Sequence, residues 1–376
     1  VPGAAHLSAD HFPFYAMSYL PEYTNTALLM VLVFLVGVCF AGVIRLPKLP
    51  QAVAESERDF SITRFKTLII VLLCGCATAI LTVGVDVYLQ RRMAIGDSFE
   101  TGLQFAVFFI VPRIAAFLAV ALCLIRLRLS GFARGWIWLG LALIPFAILN
   151  NPEAIPRFYT LGYTIAFAMI LLNLEQRVVR LCLSVGTVAV LFVLLPMLNV
   201  ITRDKLSVTS GLERYLQSGD FDGLQSLANI AQLTSDTGFS FGKQIMTAAL
   251  FFVPRSLWAD KSVSTGSLAA EHAGYAFTRV SAPLPGELYV DFAWFGVFAG
   301  GVALGYLMRL LEHRVQWGHS DANHMVLPVA VLFGFLPILL RGTLQGIGPV
   351  VATAMIGSYL IALFVYPIFG RSRAHA

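Results

Sequence analysis

The sequence predicts an all-α polytopic membrane protein, and three observations carry this prediction. Hydrophobic residues make up 58% of the 376-residue chain and only 12% are charged, about half the usual charged share of a water-soluble domain. Several apolar runs approach the length of about 20 residues that a helix needs to cross a bilayer. These runs are continuous, whereas the strands of a membrane β-barrel alternate apolar and polar residues over short segments. The bilayer is therefore the expected solvent for most of the chain.

Nine apolar runs have the composition of membrane-spanning helices. They fall at 25–45, 67–88, 102–125, 135–150, 158–174, 181–200, 289–309, 325–340 and 349–369. A tenth stretch, 244–254, is apolar but short, so the expected number of transmembrane helices is about nine or ten. These spans divide the chain into an N-terminal membrane bundle over 1–200, a large external loop over 201–288 and C-terminal membrane helices over 289–376.

The distribution of Lys and Arg predicts which side of the membrane each loop faces. Fourteen cations lie in one alternating set of loops and termini: Arg45, Lys48, Arg58, Arg64, Lys66, Arg126, Arg128, Arg134, Arg177, Arg180, Arg309, Arg314, Arg371 and Arg373. The short loops of the opposite set hold only Arg91, Arg92, Arg157 and Arg341. Cytoplasmic loops carry the excess of Lys and Arg, so the first set is expected inside. The alternation holds only if 244–254 dips into the outer leaflet and returns.

The external segment 201–288 is the region in which function is expected. The stretch "GDFDGLQSLANIAQL" predicts a surface helix with Phe221, Leu224, Leu227 and Leu233 on one face and acids at its start. The end of the segment is rich in Gly, Pro and Ser. Irregular backbone at a membrane edge is tolerated mainly where it lines a cavity, which favours a binding site here.

Arg113 is a candidate substrate-binding residue inside the membrane. It lies near the middle of the third span, directly after a proline in "FFIVPRIAAFLAV". An arginine at that depth is costly unless it is paired or faces water. It can bond carbonyls freed by a helix kink, pair with an acid such as Asp86, or bind a substrate. Ionisable groups inside membranes are usually functional, which favours the third interpretation.

Five cations map to the outer face, against the overall charge bias: Arg157, Arg255, Lys261, Arg279 and Arg341. Arg157, Arg255 and Arg341 each stand at the end of an apolar stretch, so each taken singly can be an interfacial anchor. Taken together, the five cations can form an electropositive ring on one leaflet. Guanidinium groups bind phosphate oxygens in a bidentate manner, so a diphosphate at the outer leaflet suits such a ring.

Glu287 stands where the external loop re-enters the bilayer, and Asp291 follows one helical turn later. A partly desolvated carboxylate near arginines can act as a general base. An acid at a helix start is also favoured by the helix macrodipole, so a purely structural role is the alternative. His272 is either another base or a simple loop residue. Trp258 and Tyr289 either stack on sugar rings or belong to an interfacial aromatic belt.

Several other kinds of site are not expected. The sequence has no P-loop and no HExxH motif. All five cysteines fall in apolar spans, and the spacing of Cys74 and Cys76 does not match a CxxC motif. We therefore expect no metal and no cofactor. Cations that flank the spans explain most of the net charge of +5, so a nucleic-acid partner is not expected.

Two segments of the external loop carry a resemblance to a known family. The segments "VPRSLWADKSVSTG" and "PLPGELYVDFAWFGVFAGG" hold Pro254, Arg255, Trp258, Lys261, Gly286, Glu287 and Tyr289. This pattern resembles the oligosaccharide repeat-unit polymerases of the O-antigen (Wzy) type, in which Pro-Arg-x-x-Trp-x-x-Lys precedes Gly-Glu-x-Tyr and a glycine-rich helix. Arg255 and Gly266 also fit the Arg-x10-Gly spacing of periplasmic loops in that family. The chain departs from the pattern at Ala259 and Ser262, where the family commonly has prolines.

The resemblance implies a glycosyltransferase of the bacterial inner membrane with a GT-C-like helical architecture. Such an enzyme uses undecaprenyl-diphosphate-linked oligosaccharides in the periplasm as both donor and acceptor. A chain-length regulator and a flippase are candidate partners, besides the lipid bilayer. Glu287 and Arg255 are the expected catalytic residues. The residues expected to bind substrate are Arg113, Arg157, Trp258, Lys261, His272, Arg279, Tyr289 and Arg341.

Two other functions stay open. An O-antigen ligase uses a similar lipid-diphosphate donor but transfers the oligosaccharide to a lipid A-core acceptor. A flippase or another transporter of lipid-linked sugars also needs a cationic cavity. No inverted repeat of the kind that many transporters carry is evident in the sequence, which disfavours the transporter.

Overall fold

The computed structural model describes residues 2–13, 18–47, 60–90, 102–130, 135–152, 154–172, 174, 176–190, 221–314 and 324–367. Every regular element within these residues is a helix. The described part of the chain is therefore all-helical, as predicted.

The helices follow the predicted spans closely. In chain order they are α1 (Pro2–Ser8), α2 (Pro21–Phe40), α3 (Ile62–Val83), α4 (Val85–Leu89), α5 (Val111–Leu129), α6 (Trp136–Leu149), α7 (Arg157–Leu171), α8 (Arg177–Ala189), α9 (Gly223–Thr237), α10 (Lys243–Ala249), α11 (Thr265–His272), α12 (Leu284–Arg314), α13 (Val326–Arg341) and α14 (Leu344–Val365). A turn of 3-10 helix, Ala41–Val43, extends α2. A single α-helical turn, Gly102–Phe105, and a π-helical turn, Ala106–Ile110, precede α5. Each predicted span overlaps one of these helices.

Five helical stretches are long and apolar enough to cross a membrane. They are Pro21–Val43, Ile62–Val83, Ala106–Leu129, Leu284–His313 and Leu344–Val365. Three shorter apolar helices cover Trp136–Leu149, Phe158–Leu171 and Val326–Arg341. Helix α8 belongs to neither group, and the predicted span that it begins continues into 191–200, outside the described residues. Helix length and composition thus support five membrane-crossing helices within the described part of the chain.

The exposed surfaces of these helices are apolar. Leu32 on α2, Leu81 on α3, Ile137 on α6 and Ile356 on α14 are each more than half exposed. Soluble monomers rarely expose large contiguous apolar surfaces, because such surfaces are unfavourable in water. These faces therefore suit contact with lipid, which supports a membrane-embedded protein.

The chain folds as two compact units. Unit 1 comprises Val1–Arg45, Arg180–Met308 and Leu339–Gly348, and unit 2 comprises Leu46–Val179, Arg309–Ile338 and Pro349–Ala376. Unit 1 contains most of the residues that the sequence assigns to a site.

Helix α9 of unit 1 corrects one expectation. The predicted helix forms, but nine of its 15 residues are buried, so it does not lie on a surface. Its apolar side packs with Ala27 and Met30 of α2. Its polar residues Gln225 and Asn229 both donate hydrogen bonds to the hydroxyl of Tyr275. Polar side chains that find partners inside the unit do not need water, which is why both sides of the helix are buried.

Helices α2 and α12 of unit 1 pack with their backbones in close contact. A Cβ atom on Gly37 would lie 2.5 Å from the carbonyl oxygen of Phe298. A Cβ atom on Gly305 would lie 2.7 Å from the carbonyl oxygen of Val38, and one on Gly301 would overlap the carbonyl of Phe34. Small residues allow this approach, which is a common way to join helices within a bilayer.

A sharp break interrupts α12. Phe292 and Ala293 have non-helical backbone angles, and the φ of Ala293 is 53°, in the left-handed region. The break separates a short N-terminal segment, which carries Glu287 and Asp291, from a longer glycine-containing segment. A non-glycine residue with positive φ is uncommon and is held by the surrounding packing.

The stretch 244–254 does not form a long helix. Helix α10 ends at Ala249, and turns follow as far as Asp260. Seven helical residues rise about 10 Å, far less than the hydrocarbon thickness of about 30 Å. The stretch therefore cannot span the bilayer as a helix, and its dip into the outer leaflet stays a prediction.

Unit 2 is built around α5. Fourteen of its 19 residues are buried, and helices α3, α6 and α7 pack against it. The rings of Phe117 and Tyr163 stack with centroids 4.6 Å apart, and Phe335 of α13 packs edge-on against both. A Cβ atom on Gly162 would lie 2.8 Å from the carbonyl oxygen of Gly334, so α7 and α13 also pack closely.

The contact of α2 with α12 generates a stability prediction. Gly301→Ala forces the two backbones apart, because the new methyl group overlaps the carbonyl of Phe34. Overpacking of this kind costs about 1–3 kcal/mol, so the melting temperature of the detergent-purified protein is expected to fall. Gly75→Ala on α3 is the matched control, since a Cβ atom there meets nothing within 4 Å. Equal melting temperatures for both variants would show that the glycine contact is not needed.

Candidate functional site

Arg255 folds the segment that follows α10 back on itself. Its Nη1 donates to the carbonyl of Lys261 at 2.6 Å, and its Nη2 donates to the carbonyl of Ser262 at 3.1 Å. Both acceptors are backbone groups, so these bonds fix the path of residues 255–262. The Arg255 side chain is nevertheless exposed. The guanidinium edge that these bonds leave open can therefore meet a ligand.

Lys261 closes the same loop from the other side. Its Nζ donates to the carbonyls of Leu250 at 3.0 Å, Phe251 at 2.8 Å and Val253 at 2.8 Å. An ammonium group has three N–H donors, so all of them are engaged. The acceptors follow the C-terminus of α10, where carbonyls lack helical partners and a cation is favoured. Burial, and then the charge of Arg255, lower the pKa of Lys261.

Glu287 lies where three helices begin. Its Oε2 accepts a hydrogen bond of 2.5 Å from the hydroxyl of Thr265, the first residue of α11. Its Oε1 accepts a bond of 2.9 Å from the backbone N–H of Leu344, the first residue of α14. Glu287 itself lies in the first turn of α12 and is only 1% exposed. The positive ends of helix dipoles thus surround this carboxylate.

Asp291 anchors a fourth helix start. It is fully buried, and its two oxygens accept from the backbone N–H groups of Gln244 at 3.1 Å and Ile245 at 2.8 Å. These N–H groups lie in the first turn of α10, where they have no helical acceptor. The hydroxyl of Ser240 donates to the same carboxylate. Two acids one turn apart therefore hold the starts of α10, α11 and α14 against α12.

Two glutamines connect the Arg255 loop to these helix starts. The Nε2 of Gln244 donates to the hydroxyl oxygen of Ser262 at 2.8 Å. The Nε2 of Gln345 donates to the Oε1 of Gln244 and to the carbonyl of Val263, both at 3.0 Å. Gln345 follows Leu344, which binds Glu287. The structure therefore brings the two sequence segments that carry the resemblance into one hydrogen-bonded network.

Two glycines of these segments permit the close packing of that network. A Cβ atom on Gly266 would overlap the carbonyl of Val280 and lie 3.0 Å from the methyl group of Thr343. A Cβ atom on Gly286 would lie 2.8 Å from both Leu227 and Ile230 of α9. A larger residue at either position would push α11 or α12 away from its neighbours.

Arg341 is held in an ion pair within unit 1. Its Nη2 lies 3.0 Å from Oδ1 of Asp222, which is 3% exposed. The Oδ2 of Asp222 accepts from the backbone N–H of Ser281 at 3.3 Å. Arg341 therefore ties the end of α13 to the residue before α9.

The remaining predicted residues of unit 1 have no side-chain hydrogen bond to this network among the described contacts. His272 pairs with Asp236 at 2.8 Å at the end of α11. The ring of Tyr289 packs against those of Phe239 and Trp294, with centroids 5.7 Å and 5.0 Å away. Trp258 is half-buried and Arg279 is exposed.

Arg113 and Arg157 belong to unit 2. Arg113 is 6% exposed, and its guanidinium carbon lies 3.5 Å from the ring centroid of Phe109. Asp86, the acid expected as one alternative partner, is exposed, and Arg113 forms no ion pair within the described residues. Arg157 is the first residue of α7, and its side chain lies outside the described part.

Thr265, Gln244 and Gln345 belong to the network but are not among the predicted site residues. Thr265 donates to Glu287, whereas the two glutamines bind neutral side chains and a backbone carbonyl. All these partners lie far away in sequence, so no local pattern signals them. The sequence pattern did indicate Asp291, because this residue follows Glu287 by one helical turn. Among the residues that the structure describes, no group of three or more His, Cys, Asp or Glu is placed to hold a metal ion.

Comparisons with models of protein families, with characterised proteins and with solved structures gave no match. The resemblance therefore rests on the two sequence segments themselves.

The loop between α10 and α11 generates a prediction on local stability. Lys261→Met removes three charge-assisted hydrogen bonds, and one such bond contributes about 1.5–3 kcal/mol. Amide hydrogens of residues 250–261 are expected to exchange at least about tenfold faster in hydrogen–deuterium exchange. Lys243→Met is the matched control, because Lys243 pairs at 2.8 Å with Asp260, which is 87% exposed. Exposed ion pairs contribute about 0–1 kcal/mol, so Lys243→Met is expected to change the exchange rates little. Equal exchange rates in both variants would show that Lys261 does not stabilise the loop.

Proposed function

We propose that the protein is a membrane glycosyltransferase that polymerises undecaprenyl-diphosphate-linked oligosaccharide repeat units. In this proposal the chain crosses the bacterial inner membrane with about nine helices in a GT-C-like arrangement. Residues 201–288 face the periplasm, and the dip at 244–254 places the Arg255 loop at the outer leaflet. The lipid-linked oligosaccharide is both donor and acceptor.

One observation carries the proposal. The Pro-Arg-x-x-Trp-x-x-Lys segment and the Gly-Glu-x-Tyr segment meet in one network through Gln244 and Gln345. The first segment presents the exposed Arg255, and the second supplies the carboxylates that fix the surrounding helix starts. A site assembled from both segments is what a shared catalytic role would require.

The chemistry of a lipid-diphosphate donor suits the exposed cation. A hydroxyl oxygen of the acceptor sugar bonds to the anomeric carbon while the bond from that carbon to the diphosphate breaks. The diphosphate leaves with the electron pair, and the hydroxyl proton is released to a base. Preorganised cations that stabilise charge on a leaving group often provide a large share of catalysis. Arg255 is the residue assigned to this contact, with Arg279 as the exposed cation that can assist it.

The surroundings of Glu287 restrict its predicted role as a base. A general base must come within hydrogen-bond reach of the proton that it removes. Both Glu287 oxygens already accept bonds inside the chain, and the residue is 1% exposed. These contacts favour a positioning role, in which Glu287 holds α11 and α14 in place beside the Arg255 loop.

Three outcomes of one reaction distinguish the candidate functions. The detergent-purified protein is incubated with purified lipid-diphosphate repeat units, with and without lipid A-core. Longer chains on the lipid alone support the polymerase. Products that require lipid A-core identify a ligase, and an absence of new glycosidic bonds under conditions that keep the protein folded favours a transporter.

Arg255→Ala tests the donor contact. We expect chain extension to fall by about 10²–10³-fold, the typical effect of removing one preorganised donor. Arg255→Lys is expected to rescue activity poorly, because an ammonium lacks the planar fork of a guanidinium. Lys261→Met is the matched control, since it loosens the same loop and keeps the guanidinium. Equal losses in Arg255→Ala and Lys261→Met would mean that the loop fold, rather than donor binding, is what Arg255 provides.

Glu287→Gln separates positioning from base catalysis. The amide keeps the size of the side chain and can retain partners at both Thr265 and Leu344. We expect turnover within about tenfold of the wild type at saturating donor, with a modest drop in melting temperature. Loss of a general base typically lowers turnover by about 10²–10⁴-fold. A fall of that size at unchanged melting temperature would restore Glu287 as the base.

A further inference from the structure

One edge of the Arg113 guanidinium is buried, and its donors find no acceptor among the residues that the structure describes. The residue is 6% exposed, and its Nε and Nη2 have no hydrogen-bond partner within the described residues. These two nitrogens form the side of the guanidinium whose N–H bonds point in the same direction. A single carboxylate or phosphate group can accept both bonds at once. Leaving such donors without partners in a buried place is costly, so a missing partner is expected.

The orientation of this edge is fixed by its surroundings. The guanidinium carbon lies 3.5 Å from the ring centroid of Phe109, a cation–π contact that sets the plane of the group. The Phe109 ring in turn stacks with Tyr88 and Phe105, with centroids 6.3 Å and 4.7 Å away. The Nδ2 of Asn150 donates to the backbone carbonyl of Arg113 at 3.2 Å, which holds the main chain at the same point. The donors are therefore preorganised.

Among the described residues, the groups near Arg113 do not neutralise it. The polar side chains there that interact with its charge are Tyr88, Tyr159 and Tyr163, and tyrosine is neutral at physiological pH. Arg113 forms no ion pair with a carboxylate in the described part of the chain. A bound anion would satisfy both the charge and the two donors.

We propose that unit 2 contains a buried binding site for a phosphate group, bound by the Nε and Nη2 of Arg113. Phosphate oxygens match the planar fork of a guanidinium, and lipid headgroups supply phosphate groups at a membrane. This proposal concerns binding alone, so it holds whether or not the protein transfers sugars. The phosphate can belong to a lipid headgroup or be a free ion.

Thermal unfolding of the full chain in detergent tests the site. Inorganic phosphate, inorganic diphosphate and undecaprenyl phosphate in micelles are titrated at constant ionic strength, with chloride as the reference anion. A ligand that binds the folded state raises the melting temperature in a saturable way. We expect such a rise for the wild type and none for Arg113→Met. Arg126→Met is the matched control from the end of the same helix and is expected to respond like the wild type.

The probes that raise the melting temperature identify the source of the phosphate. A response to inorganic phosphate assigns a free anion, and a response to undecaprenyl phosphate alone assigns a lipid headgroup. If Arg113→Met does not fold, Arg113→Lys replaces it and is expected to bind about ten- to a hundredfold more weakly, the effect of losing one charge-assisted hydrogen bond. The proposal is overturned if no phosphate probe exceeds chloride, or if the Arg113 variants respond like the wild type.

Discussion

The pair of carboxylates on the first two turns of α12 is the constraint on which unit 1 depends. Glu287 and Asp291 are both buried, and together they accept hydrogen bonds from the starts of α10, α11 and α14. A helix start has N–H groups without partners and a partial positive charge, so a carboxylate there serves both needs. Without these acids, three helix starts would have donors without acceptors, and the segments between them would lose their attachment to α12.

The loop between α10 and α11 is fixed by cations that bind backbone carbonyls, whereas the helix starts are fixed by carboxylates that bind N–H groups. Lys261 binds carbonyls that follow α10, while Arg255 binds carbonyls near the start of α11. Each end of α10 is therefore held by a side chain of the complementary sign, Asp291 at its N-terminus and Lys261 beyond its C-terminus. This arrangement leaves Arg255 as an exposed cation of the loop.

The positions of the helices could be predicted from the sequence, because a bilayer requires continuous apolar runs and helical hydrogen bonding. The burial of α9 could not, since its polar residues Gln225 and Asn229 pair with Tyr275, which lies far along the chain. The motif cations were recognisable, but the carbonyl partners of Lys261 were not, because every residue has a carbonyl. The spacing of Glu287 and Asp291 places both on one helix face, yet only the fold shows from which helix starts they accept hydrogen bonds.

The break at Ala293 decides what lies beside the longer segment of α12. A Cβ atom on Gly296 would lie 2.6 Å from the carbonyl oxygen of Leu288, and one on Gly300 would overlap the Leu288 side chain. In a straight helix, residues 288 and 300 would stand about 18 Å apart along the axis. The short segment therefore folds back along the longer one, so a larger side chain at either glycine would push the turn that carries the two carboxylates away from it.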